Sequence, residues 1–233
     1  MGAVDDPAHA RFLADYRAHI RGWQQRQRAR IEKARRSGGP IPAFSMQPPV
    51  GKFVRRAERE ANERAGTDAA IPFLVWIVAN AGRGEQAAGR RALTTLMESH
   101  LESPRLDLLA AVLPGAAGRL GIDAREYLGR ILEENPSAAV RAAALHARSH
   151  AVVRRADVTS PEYASARKDL ERVIELVPRT SLAARARAAI DLREKLAVGL
   201  PAPEIEGKDL DGVPFKLSDY RGKAILLSFW GDW

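Results

Sequence analysis

The 233-residue chain contains no cysteine. That absence excludes disulfides, thiolate nucleophiles and zinc–thiolate sites from the chemistry these residues perform by themselves. Aromatic residues are scarce, at 6%, too few for the stacking platform of a single-strand nucleic-acid binder. Long uncharged apolar runs are missing too. The strongest, Ile71 to Ala79, is nine residues long, against the roughly 20 that a membrane-spanning helix needs. The N-terminus, Met1-Gly2-Ala3-Val4-Asp5-Asp6-Pro7, lacks the charged start, apolar core and small-residue cleavage site of a secretory signal. The expectation is a cytoplasmic protein, or one whose true start precedes Met1.

The net charge of +8 is unevenly placed. Arg11 to Arg36 holds nine basic residues against Asp15 and Glu32, leaving 28 basic and 27 acidic residues elsewhere. Within this stretch Leu13, Tyr16, Ile20, Trp23 and Ile31 recur at steps of three and four, with Gln27 in the gap, the stripe of an amphipathic helix. Asp6 before Pro7 supplies a cap and a first-turn proline, and Ser37-Gly38-Gly39-Pro40 ends the helix. The basic amphipathic helix thus fills 1–39, and a linker with four prolines follows at 40–51.

From 52 to 197 the chain reads as successive helices punctuated by Gly, Pro, Asp and Ser, without a period-two run. The spans expected are 52–65, 68–81, 85–101, 104–113, 122–134, 137–154, 160–177 and 180–197. Ile131 to Pro136 and Val173 to Pro178 each lead from one amphipathic helix into an alanine-rich one. This resembles the helical hairpins of tetratricopeptide-like proteins, although the signature aromatic and glycine positions are missing. Either helical hairpin repeats or an irregular helical bundle accounts for the pattern.

After Val198 the texture changes. Gly199-Leu200-Pro201-Ala202-Pro203 breaks the last helix, Asp211-Gly212 is a hairpin signal, and Ser218 is placed to cap a short turn ending at Gly222. Ala224-Ile225-Leu226-Leu227-Ser228-Phe229-Trp230 then has the length and apolarity of a buried parallel strand. The ordered set Pro201-Ala202-Pro203, Asp211-Gly212-Val213-Pro214-Phe215, Leu217-Ser218-Asp219-Tyr220-Arg221-Gly222-Lys223 and Phe229-Trp230-Gly231-Asp232-Trp233 resembles redoxins of the TlpA-like and AhpC/TSA-like group.

The resemblance implies that 198–233 is the N-terminal fragment of a thioredoxin-like α/β domain, so the whole is mainly α with incomplete first β-elements. In the TlpA-like pattern the tryptophan matching Trp233 is followed by Cys-x-x-Cys. Trp230, Gly231, Asp232 and Trp233 then flank the active site, and the cysteines lie beyond this chain. The implied parent is a thiol–disulfide oxidoreductase acting on protein thiols or disulfides, without a cofactor; the AhpC/TSA-like alternative is a peroxidase. The resemblance points to an exported or periplasmic setting. A further alternative is a non-catalytic scaffold that binds a protein partner on its helical region.

Three other signals have ordinary readings. Phe73 to Val78 followed by Gly82-Arg83-Gly84-Glu85-Gln86-Ala87 imitates a dinucleotide fingerprint, but Pro72 suits a helix start and no acidic ribose ligand follows on a second strand. His146 and His150 share a helix face at a chelating distance, without an evident third ligand. The arginines of the first helix read as a solvated face, and neither nucleic acid nor an anionic membrane surface is favoured as partner.

Overall fold

The computed structural model describes residues 6–38, 40, 48–196 and 198–228. Asp6 and Pro7 open α1 (Pro7–Arg36) as the sequence predicts, the Asp6 carboxylate accepting from the Ala8 N–H at 2.9 Å. The helix is anchored by its first half. Phe12 is fully buried and meets Phe53, Phe73 and Trp76 edge-on, with ring centroids 5.9, 5.6 and 4.9 Å away. Tyr16 adds edge contacts to Phe53 and Trp76. Such pairs each contribute about 0.5–1.5 kcal/mol beyond the area they bury.

The helices α2 (Gly51–Glu63), α3 (Ile71–Asn80), α4 (Gln86–Ser99) and α5 (Asp107–Leu120) follow. Every residue of α3 from Ile71 to Val78 is buried, and the helix packs against α2, α4 and α5. A helix apolar all round has no solvent face, so it becomes the axis of the layer. The remaining helices are α6 (Ala124–Glu134), α7 (Ala138–Arg155), α8 (Pro161–Leu176) and α9 (Ser181–Glu194), with successive members packed as hairpins. Asp123, Ser137, Ser160 and Thr180 each accept a backbone N–H at a helix start. Pro136 and Pro178 fall between the helices of a pair, where the sequence places the breaks.

Two apolar cores share α7. Val140 and Ala144 belong to the first, which includes Phe12, Ile77 and Leu113. Ala142, Leu145 and Val153 belong to the second, with Leu170, Val173 and Ile190. The buried Asn135 ties α6 to the segment after α4, its amide donating to the carbonyls of Leu101 at 2.6 Å and Ser103 at 3.0 Å.

The helix expected over 180–197 stops at Glu194, and two other spans differ from the sequence expectation for a physical reason. The helix expected to stop at residue 113 continues through Pro114 to Leu120 and ends on Gly121, whose φ of +63° is left-handed. The apolar stripe explains it: Leu109, Leu113, Ala116 and Leu120 are all fully buried, and that burial outweighs the hydrogen bond Pro114 forfeits. The helix expected over 68–81 begins at Ile71, because Thr67 and Asp68 serve the preceding turn. The chain is therefore mainly α, and the two short strands described below are the only strands among the described residues.

Candidate functional site

The segment that carries the redoxin resemblance folds as a small β-hairpin held by carboxylates. β1 (Glu206–Lys208) pairs antiparallel with β2 (Pro214–Lys216), placing Glu206 opposite Lys216 and Gly207 opposite Phe215. The Asp209 Oδ1 accepts the N–H groups of Asp211 and Val213 at 3.0 and 2.9 Å, forming an Asx turn, while Gly212 takes φ +81°. This is the reversal that Asp211-Gly212 signals. The Lys216 Nζ lies 2.6 Å from the Glu206 Oε1.

A 3₁₀ turn, Leu217–Tyr220, follows β2. Ser218 lies inside it and does not cap it; the Asp219 carboxylate accepts from the Lys216 N–H at 2.8 Å instead. The spacing Lys216-x-x-Asp219 is the acidic half of a capping box, the signal by which the sequence marks this turn. The Ser218 N–H is taken by Glu204 Oε1 at 3.0 Å, and the Leu217 N–H by the Ile205 carbonyl at 2.9 Å. Hydrogen bonds from Ser218, side chain and then backbone, hold the Glu204 carboxyl below its usual range. Glu204 thus clasps the hairpin at its base, a role with no local sequence signal because its partner is 14 residues away.

Beyond the turn, Ala224 to Ser228 form no regular element and are exposed, Leu226 at 94%. The run with the character of a buried strand has no strand partner over these five residues: neither described strand pairs with them, so their backbone groups and apolar faces lie open. Trp230, Gly231, Asp232 and Trp233, the positions expected to flank the active site, lie outside the described residues.

The helical region places the other candidates. His146 and His150 stack on one face of α7 with centroids 4.8 Å apart. Burial pushes the His146 imidazole down to about 4, with His150 and Arg185 adding to the shift, and burial also lowers His150. Among the described residues no group of three or more His, Asp and Glu is placed to hold a metal ion. Gly82-Arg83-Gly84-Glu85 edges an open cleft of about 680 Å³ that Tyr16, Trp23, Arg30 and Arg119 also line. The segment before these glycines is α3, a helix, so the strand that a dinucleotide fingerprint requires is absent there.

Comparison with known proteins finds a short local likeness. The relatives are thiol–disulfide oxidoreductases. ResA of Geobacillus thermodenitrificans is 50% identical over 38 residues, which are 16% of this chain and 22% of that protein. ResA of Geobacillus kaustophilus is 53% identical over 38 residues, again 22% of its length. ResA of Bacillus thuringiensis is 42% identical over 40 residues, 23% of its length. The chain therefore spans under a quarter of the relatives it matches. No protein-family profile and no solved structure matches it.

Proposed function

We propose that the chain is part of a TlpA-like thiol–disulfide oxidoreductase in which residues 198–233 open the thioredoxin-like domain and residues 52–197 form a separate helical domain. The observation that carries this reading is the local identity of 50–53% over 38 residues to ResA. In such chemistry a thiolate attacks a disulfide sulfur, a mixed disulfide forms, and a second thiol resolves it as the first leaves. These 233 residues contain no cysteine. Their part is to build the platform: Glu204, Asp209 and Asp219 fix the hairpin and turn that lead into Ala224–Trp233, at whose end the thiol pair would stand. The substrate class is a protein disulfide or dithiol.

The test reads the source gene through the codons that follow Trp233 and assays the encoded protein for dithiothreitol-dependent reduction of insulin. A Cys-x-x-Cys directly after Trp233, with turnover lost on replacing either cysteine by serine, supports the reading. A stop codon there, or turnover that survives both replacements, overturns it.

A further inference from the structure

The charge that the sequence concentrates in α1 is sharpened by the fold. Of its two acidic residues after Asp6, Asp15 is taken by Arg56 of α2, at 2.7 Å. Only Glu32 remains to offset the nine basic residues from Arg11 to Arg36. Arg17, Arg21, Arg28 and Arg35 are exposed, and no hydrogen bond or ion pair engages their guanidinium groups among the described residues. At about 100° per residue they lie roughly 140–180° around the helix from Phe12, the side chain that anchors α1 in the core. They form one row about 27 Å long at a rise of about 1.5 Å per residue. Arg21, Arg28 and Arg35 are one heptad apart.

We propose that this row is a docking surface for an acidic helix of a protein partner, with Asp or Glu repeating at seven-residue intervals. Carboxylates at that spacing recur about every 10.5 Å along a helix, the spacing of the arginines. Guanidinium groups pair with carboxylates bidentately, which gives the contact register as well as attraction. Two other anionic surfaces fit less well. An amphipathic helix binds a bilayer by burying its apolar face, and here Phe12 and Tyr16 are committed to the protein core. A helix in a duplex major groove meets two phosphate walls and needs cations on both flanks. The row is flanked by Ile20, Gln27 and Ile31 on one side, where no basic residue stands, and by Ala14, Gln25, Glu32 and Arg36 on the other, so cations border it on one flank only.

Fluorescence anisotropy tests this with the whole chain and a labelled 28-residue helix bearing Glu at positions 1 and 5 of each heptad. A composition-matched scrambled peptide, a 20-base-pair DNA duplex and phosphatidylserine vesicles serve as competitors. The patterned peptide is expected to bind best, and the quadruple variant R17Q/R21Q/R28Q/R35Q to weaken it at least about tenfold, as four exposed ion pairs of modest strength would. The charge-matched variant R90Q/R125Q/R155Q/R187Q should stay within about twofold of the parent chain, since those side chains lie on other helices. Equal loss in both variants, equal binding of the scrambled peptide, tighter binding of duplex or vesicle, or no binding at all would overturn the proposal.

Discussion

The imidazoles of His146 and His150 lie nearly parallel, 21° apart, one turn from each other on α7. Neither the His146 Nε2 nor the His150 Nδ1 has a hydrogen-bond partner among the described residues, so the pair is held neutral by burial, with Arg154 and Arg185 adding repulsion to any proton gained. The folded-state value is below the unfolded one. Stability is therefore full above the ordinary histidine range, near 6.5, and is lost as pH falls from there toward about 4, where His146 titrates in the fold. After discounting for solvent screening the loss is on the order of 1–2 kcal/mol. Urea denaturation at pH 7.5 and pH 4.5 should show it, and His146→Gln should flatten the dependence; an unchanged slope in that variant contradicts this account.

Asn135 predicts a larger and pH-independent effect. Its amide satisfies two buried carbonyls, and its Oδ1 accepts from the Ser137 N–H at 2.8 Å. Asn135→Ala leaves all three groups unpaired and is expected to cost about 2–4 kcal/mol. Asn135→Asp should be no better, because a carboxylate there would face two carbonyl oxygens. Midpoints of chemical denaturation compare the two.

Two helical glycines predict opposite signs. A Cβ on Gly89 of α4 would stand 2.5 Å from Leu120 Cδ2 and 3.0 Å from Ala81 Cβ, so Gly89→Ala should destabilise by about 1–3 kcal/mol. A Cβ on Gly129 of α6 meets nothing within 4 Å. Gly129→Ala should stabilise by about 0.5–1 kcal/mol through helix propensity alone. Thermal melts of both variants measure the pair.

Pro114 predicts a gain as well. It occupies the interior of α5, where it withholds one backbone donor. Pro114→Ala restores that donor and should raise stability by about 1–2 kcal/mol, less than the full interior-proline penalty because the unfolded chain also becomes freer. A lower melting temperature would show that the ring is needed for packing.

What the sequence made legible follows the range of the forces involved. Helix starts are local, and Asp6-Pro7, Ser137, Ser160 and Thr180 all cap where their neighbours indicate. The Asp211-Gly212 reversal is local too, and it forms. The extension of α5 past Pro114 was not legible, because it depends on burying Ala116 and Leu120 in a core built by distant helices. Neither was the Glu204 clasp, whose partner is 14 residues on, nor the removal of Asp15 by Arg56 across 41 residues. At the candidate site the residue pattern suggested the kind of chemistry, but Ala224 to Ser228 needed strand neighbours that the described residues do not provide.

The wholly buried α3 also has a consequence for how the chain is made. Phe73 to Val78 is an uncharged hexamer of high β-propensity, with Pro72 before it as the one local guard against strand pairing. Its cover is completed by α5, which ends at Leu120. At synthesis rates of about 5–20 residues per second, this stretch waits on the order of 2–8 s after it is translated before its last neighbour exists. During that interval a stretch wholly hidden in the finished molecule lacks its full cover and is open to chaperones and to other nascent chains.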